Sequence, residues 1–298
     1  MPVYDRRYRG YDGALRPPRA AIATLMRHGL SDVFSSRLTL VLFVASCLPV
    51  LAFASVIYLA NNLDVLVQAG IRVGEDFPRI RDAAFFFFLT MQSGFAFLLA
   101  AFVGPTLVAP DVAHGAMPLY LSRPLSRWGY GLGKLGVLLV LLSLVTWLPG
   151  MLLVLLQASL AADGWLLQHW DLLWAVFAAA WVWILPVSLC ALAISAWVRW
   201  RPLATAMLFV IFTVMQGFGH AINAFLDTKW GTLLILSDLI KTIWMRLFHA
   251  QEILPASVVE ALLANPLPVA ACGLALATIC AIAVWSFGLR IRAQETVR

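Results

Sequence analysis

Long apolar segments dominate the pattern of hydrophobic and polar positions along this chain. Six segments contain no Asp, Glu, Lys or Arg, namely 38–60, 83–109, 135–160, 172–198, 203–225 and 267–289. A helix rises about 1.5 Å per residue and the hydrocarbon core of a bilayer is about 30 Å thick, so each segment is long enough to cross it. The pattern therefore predicts an all-α polytopic membrane protein with six transmembrane helices.

The segment before the first span has apolar residues on one helical face only. Apolar positions recur at helical spacing between residues 19 and 37, while Arg27 and Asp32 occupy the opposite side. This predicts an amphipathic helix at the membrane interface, which can anchor the protein or receive a partner on its polar face. We therefore divide the chain into a cytosolic tail with an interfacial helix, 1–37, and a transmembrane domain, 38–298.

A second amphipathic segment lies between spans five and six. Leu236, Ile240 and Trp244 share one helical face, whereas Asp238 and Lys241 point elsewhere. A charged residue at the centre of a bilayer costs roughly 2.5–3.5 kcal/mol on insertion scales, so this segment is not expected to cross the membrane. We predict an outer amphipathic helix that lies along the membrane surface before span six.

The positive charges follow the topology of the spans. The net charge is +6, yet only 12% of the residues are charged and 62% are hydrophobic. Fifteen Lys and Arg residues lie in the N-terminal segment, the loops after spans two and four and the C-terminal tail, whereas the other loops hold six. The positive-inside rule therefore places both termini in the cytoplasm. Since topology explains the surplus, we expect the lipid bilayer and no nucleic acid as a partner.

Glycines precede the third span in a pattern that matches GxGxxG, from Gly131 to Gly136. The pattern follows no strand and runs straight into a membrane span, which argues against a dinucleotide site. It is not a Walker A loop either, because Leu135 stands where Ser or Thr would hold magnesium. We expect these glycines to let a cytosolic loop pack closely against the span that follows.

Residues that carry chemistry form no recognisable catalytic or metal site in the sequence. The cysteines all lie inside predicted spans and are expected to be packing residues: Cys47, Cys190, Cys272 and Cys280. Four of the histidines lie in separate loops on two sides of the membrane, and no Ser/His/Asp set converges. We therefore expect no metal, no cofactor and no enzymatic activity in this chain by itself.

The most specific pattern lies between spans two and three, where residues 110–134 read PDVAHGAMPLYLSRPLSRWGYGLGK. An acidic residue after the second span is followed by a small-residue step, a short apolar helix, S-R-P-x-S-R and a G-K. This arrangement resembles the membrane subunits of ABC-2-type exporters. The entry helix, the six spans, the inside termini and the outer segment before the last span also fit that family.

The resemblance implies that residues 110–134, the coupling segment, contact a separate ABC ATPase subunit that binds ATP and magnesium. The matching positions are Asp111, His114, Gly115, Arg123, Pro124 and Arg127. It also implies a dimer with a second permease copy or a paralogue, in the bacterial cytoplasmic (inner) membrane. The alternative is a positively charged inner loop that only fixes topology.

Polar residues inside the spans are few, and three of them share one face of span five. Gln216, His220 and Asn223 are spaced i, i+4 and i+7 near its outer end. We hypothesise that they line a translocation path or its external gate. The alternative is hydrogen bonding between helices, worth about 0.6 kcal/mol on average.

Three functions remain open at the level of the sequence. The first is the permease subunit of an ATP-driven exporter, and the second is a membrane scaffold or assembly protein that transports nothing. The third is an ion-coupled carrier, which usually needs an ionisable side chain at membrane depth. The six spans as predicted offer no carboxylate, so the sequence disfavours the carrier.

Overall fold

The computed structural model describes residues 18–62, 82–116, 126–161, 164–263 and 267–295, and within these ranges every regular element is helical. The helices are α1 (Pro18–Ser35), α2 (Arg37–Ala45), α3 (Cys47–Asn61), α4 (Asp82–Ala113), α5 (Arg127–Val145), α6 (Trp147–Leu160), α7 (Trp165–Gln168), α8 (Trp170–Trp197), α9 (Arg201–Leu226), α10 (Leu236–Leu247), α11 (Ala250–Ile253), α12 (Ala256–Leu262) and α13 (Val269–Glu295). A 3-10 helix, Trp230–Leu234, lies between α9 and α10.

Within the described residues, six helical segments are by length and composition able to cross a membrane, which agrees with the number of spans that the sequence predicts. In chain order they are span 1 (Arg37–Asn61), span 2 (Ala83–Ala113), span 3 (Arg127–Leu160), span 4 (Trp170–Trp197), span 5 (Arg201–Leu226) and span 6 (Val269–Arg292). Spans 1 and 3 each consist of two consecutive helices. Span 3 begins well before the predicted residue 135, because the glycine-rich sequence is already helical.

Spans 2, 3 and 4 form the centre of the bundle. In the most apolar stretch of each span, 50% of the residues of span 2 and 56% of those of spans 3 and 4 are buried. The corresponding fraction is 17% in spans 1, 5 and 6. Spans 2 and 4 approach each other closely, since a Cβ added at Gly104 would lie 2.8 Å from the Cβ of Ala191. The peripheral spans leave much of their apolar surface for lipid or for another protein.

Helix α1 packs on span 3 at the glycine-rich sequence. A Cβ at Gly133 would lie 2.8 Å from Leu25, and a Cβ at Gly136 would lie 2.8 Å from the sulfur of Met26. Gly131 faces span 6 in the same way. The glycines were expected in a loop that packs on the following span, but they are part of the span itself. Their missing side chains let two other helices approach it.

A helix is present where the sequence predicts an outer amphipathic helix, but α10 packs into the bundle, a placement that the prediction did not include. Ile240, Trp244 and Met245 are each at most 2% exposed, and the Trp244 indole N–H donates to the carbonyl of Ala179 at 2.7 Å. Ala179 lies nine residues into α8, which corresponds to about 13 Å along that helix. Helix α10 therefore reaches well into the bundle between the spans.

Candidate functional site

The first candidate site consists of Asp111, Tyr130 and Lys134, which we call the Asp111 cluster. The Lys134 ammonium lies 2.8 Å from Oδ2 of Asp111, and the Tyr130 hydroxyl donates to the same oxygen at 2.7 Å. The Lys134 and Asp111 side chains are 10% and 15% exposed, and Tyr130 is fully buried. Lys134 also lies over the Tyr130 ring, 5.5 Å from its centroid. These contacts satisfy a carboxylate and an ammonium that are largely removed from water.

Two helix ends position this cluster. Asp111 lies in the last turn of α4, whereas Tyr130 and Lys134 are one turn apart near the start of α5, so both face the same neighbour. The ion pair therefore joins the two helices that flank residues 114–126. Sequence reasoning identified Asp111 but missed its two partners. The i, i+4 spacing of an aromatic and a basic residue at the entry of a span was the available signal.

Two further predicted residues, His114 and Gly115, lie at the C-terminal end of helix α4. Gly115 has a φ of +64°, the left-handed conformation that glycine adopts without strain, and the Ala116 N–H donates to the carbonyl of Asp111 at 2.9 Å. The His114 ring nitrogen Nδ1 lies 2.8 Å from the carbonyl of Pro110. His114 and Gly115 therefore belong to the C-terminal cap of α4, next to the Asp111 cluster.

Of the three remaining predicted coupling residues, the structure describes Arg127. Arg127 is the first residue of α5, directly after the N-cap Ser126, whose hydroxyl accepts from the Gly129 N–H at 3.0 Å. Arg123 and Pro124 lie outside the described residues. The described part of the coupling segment is therefore helical at both ends.

The second candidate site consists of His220, Asp238 and Lys241, which we call the Asp238 cluster. Oδ2 of Asp238 lies 3.7 Å from Nε2 of His220, and Oδ1 lies 3.7 Å from the Lys241 ammonium. The Asp238 side chain is 11% exposed, whereas that of His220 is 46% exposed. Because α10 enters the bundle, it brings a carboxylate among the spans. This corrects the expectation that none lies there.

The three polar residues of span 5 have different surroundings. Asn223 is buried, accepts from the Gly231 N–H at 2.7 Å and donates to the Thr232 hydroxyl at 3.0 Å. Its amide thus holds the 3-10 helix against α9. Gln216 is half-buried and His220 is exposed on the other turns of the same helix. The hypothesis that all three line a path stays a prediction, and these contacts favour a structural role for Asn223.

Two other polar residues of the spans bond between helices. The Gln92 amide donates to the carbonyl of Ser46 at 2.9 Å, and the Asn61 amide donates to the side chain of Gln157 at 2.9 Å. Such bonds provide partners for amide groups that have no water to bond in a bilayer, although Oε1 of Gln92 has none among the described residues. Gln92 and Gln157 are therefore explained by helix packing.

Metal binding receives no support within the described ranges, where no three His, Cys, Asp or Glu side chains come together in a group that could hold an ion. A scan against models of protein families and a search of curated proteins found nothing that matches this chain.

Proposed function

We propose that this chain is the permease subunit of an ATP-driven ABC-2-type exporter in the bacterial cytoplasmic membrane, with both termini in the cytoplasm. In this proposal two copies, or one copy and a paralogue, form the translocation path. A separate ATPase subunit, which binds ATP and magnesium, contacts the coupling segment at residues 110–134. The chain itself catalyses no reaction.

The observation that carries the proposal is the connection at the base of the coupling segment. The Asp111–Lys134 ion pair joins the ends of spans 2 and 3 at 2.8 Å, and α1 packs on the same turns of span 3 at Gly133 and Gly136. Protein interiors are close-packed and transmit displacement. A force applied to the coupling segment would therefore move α1 and spans 2 and 3 together, as an ATP-driven subunit requires.

The peripheral spans support the dimer and the path. Spans 1, 5 and 6 present exposed apolar side chains along their length, such as Val41, Phe218 and Trp285. Part of this surface is available for a second copy, and Gln216 and His220 of span 5 would give such an interface polar groups. Helix α1, whose polar residues Arg27 and Asp32 are exposed, is proposed to lie at the membrane interface.

Co-purification tests the proposal. In its own cell the tagged chain should bring down an ATPase in mild detergent, and changing Arg123 and Arg127 together to Glu should reduce the recovered ATPase at least tenfold. Arg199→Glu, the same substitution at one position in another predicted cytosolic loop, is the control and should leave the complex intact. If the chain inserts normally and no ATPase accompanies it, the scaffold function is favoured instead.

A second candidate function, an ion-coupled carrier, is favoured by the Asp238 cluster. Asp238 is a largely buried carboxylate between His220 and Lys241, and such groups inside membrane proteins commonly belong to ion pathways. The two functions differ in their energy source. Transport by the exporter should stop when ATP is removed and persist when the proton gradient is collapsed at constant ATP, whereas a carrier should show the reverse.

A further inference from the structure

A cavity of about 750 Å³ lies where α1 joins span 1, beside spans 2 and 5. Leu38 and Thr39 of span 1 form one side, Thr205 of span 5 forms the other, and Phe102 and Leu107 of span 2 line the space between them. The volume is within the range of small-molecule sites, about 300–1,000 Å³. The cavity therefore has room for a ligand.

The polar part of the cavity carries both signs of charge. Arg201, at the start of span 5, and Asp32, on α1, both line it and are both exposed. Neither side chain makes an ion pair within the described ranges, so the two charged groups are more than 4.0 Å apart. Lys134 also lines the cavity, but its ammonium is already bonded to Asp111. Arg201 and Asp32 together match a ligand that carries an anion and a cation.

Apart from the charged groups, hydroxyl side chains such as Thr39 and Thr205 line the cavity together with apolar ones, and the apolar surface continues along the bundle. Spans 1 and 5 both pack on span 2, and beyond the cavity most of their exposed side chains are apolar, including Val41, Val44 and Val210. A free phosphate or a soluble metabolite would leave this surface uncovered, whereas the acyl chain of a lipid would cover it. The distribution of charge places this end of the bundle at the cytoplasmic face.

We propose that the cavity binds a phospholipid of the cytoplasmic leaflet whose headgroup carries a phosphate and a primary amine, as in phosphatidylethanolamine. The phosphate lies at Arg201, which can form charge-assisted hydrogen bonds to it, and the ammonium lies at Asp32. The acyl chains follow the apolar surface between spans 1 and 5. Because α1 and span 5 each supply one charge, the lipid connects two elements that have few contacts with each other.

Native mass spectrometry of the full chain tests this assignment. The protein is reconstituted with equal amounts of phosphatidylethanolamine and phosphatidylglycerol, and the lipids that remain bound after mild detergent extraction are identified. Wild-type protein should retain phosphatidylethanolamine preferentially. Arg201→Gln should reduce retention of both lipids about tenfold, the loss expected for a hydrogen bond to a charged group. Asp32→Asn should abolish the preference for the amine while retaining the phosphate contact.

Matched variants separate binding from folding. Arg199→Gln removes the same charge two residues away and outside the cavity, so it should retain lipid like the wild type. Arg201→Lys keeps the positive charge at the start of span 5 and should restore most of the retention. Glycerophosphoethanolamine and inorganic phosphate at millimolar concentration should not raise the unfolding temperature, because they lack the acyl chains.

Several results would overturn the proposal. Equal retention of the two lipids by wild-type protein would exclude the role of Asp32, and equal retention by wild type and Arg201→Gln would exclude the headgroup site. Stabilisation by inorganic phosphate alone would identify a soluble anion site instead. A mass of two chains that bind no lipid, and that Arg201→Gln converts to single chains, would identify the surface as an interface between copies.

Discussion

The Asp111 cluster and the Asp238 cluster lie toward opposite ends of the bundle and differ in how closely their charges approach. Thr205 at the start of span 5 donates to the carbonyl of Ala101 in the middle of span 2 at 3.0 Å. Further along span 5, the ring of Phe212 lies 4.6 Å from that of the earlier residue Phe97, so these spans are antiparallel. Asp111, near the end of span 2, and His220, near the end of span 5, thus face opposite sides. The Asp111–Lys134 pair is at 2.8 Å, whereas both pairs of Asp238 are at 3.7 Å.

The difference in distance indicates that the Asp111–Lys134 pair contributes more to stability than the two pairs of Asp238. Removing one partner of a buried, hydrogen-bonded ion pair costs about 3–5 kcal/mol, because a charge stays behind without compensation. A pair with one exposed partner, such as His220 at 46%, contributes less, about 0–1 kcal/mol, since water competes for the exposed group. In the proposed exporter, the Asp111 cluster would therefore suit the transmission of force between helix ends, and the Asp238 cluster would suit a contact that changes during transport.

The largest effect is expected from breaking the Asp111 cluster. Asp111→Ala should lower the free energy of unfolding by about 3–5 kcal/mol, because Lys134 is left largely buried without its carboxylate. Chemical denaturation in mixed micelles measures the loss. The double variant Asp111→Ala, Lys134→Met removes both charges and should recover most of the stability. A loss below about 1 kcal/mol for Asp111→Ala would show that the pair behaves like a surface ion pair.

The second-largest effect is expected at the close contact between spans 2 and 4. Gly104→Ala should cost about 1–3 kcal/mol by overpacking, since its Cβ would lie 2.8 Å from the Cβ of Ala191. Ala191→Gly in the same chain should restore the stability. Gly94→Ala is the control in the same helix, because a Cβ there meets nothing within 4 Å. If all three proteins unfold at the same denaturant concentration, spans 2 and 4 are not closely packed.

A smaller effect is expected from the contact that holds α10 in the bundle. Trp244→Phe removes the indole hydrogen bond to Ala179 and should cost about 0.5–1.5 kcal/mol more than Trp183→Phe. Trp183 is a suitable comparison because it is also buried, while its indole N–H has no partner among the described residues. Denaturation of the two variants side by side measures the difference. Equal losses would indicate that packing alone holds α10.

The smallest effect on stability is expected at the Asp238 cluster. His220→Gln should change the free energy of unfolding by less than about 1 kcal/mol, because the pair is at 3.7 Å and His220 is 46% exposed. If the cluster rearranges during transport, the same variant should still lower ATP hydrolysis by the purified complex. A loss of 3 kcal/mol or more would make this cluster as rigid as that of Asp111 and would remove the contrast between them.

Sequence patterns were sufficient to predict the six spans and to identify one residue of the Asp111 cluster. The thickness of the hydrocarbon core sets the length of an apolar helix whatever its neighbours are, so six runs without charge predicted six spans. Asp111 was found from the resemblance of residues 110–134. Its partners were missed because Gly131–Gly136 was interpreted as part of a loop, and the low helix propensity of glycine is overridden here by packing against α1 and span 6.

The position of helix α10 in the bundle was not predicted from the sequence. The cost of burying Asp238 was estimated for lipid, where no group compensates a charge, and this placed the helix on the membrane surface. In the structure the carboxylate is buried in protein, with His220 and Lys241 at 3.7 Å and Trp244 bonded to the backbone of span 4. The neighbours that reduce the cost come from other parts of the chain.

By itself the amino-acid sequence determined the helical membrane architecture, because hydrophobicity and helix length are local properties. The tertiary structure decided which charges meet. Asp111 and Lys134 become partners only when two helix ends lie side by side, and Asp238 meets His220 only when α10 enters the bundle. The cavity of Asp32 and Arg201 likewise exists only between packed spans. Each depends on contacts between distant segments, which no local pattern encodes.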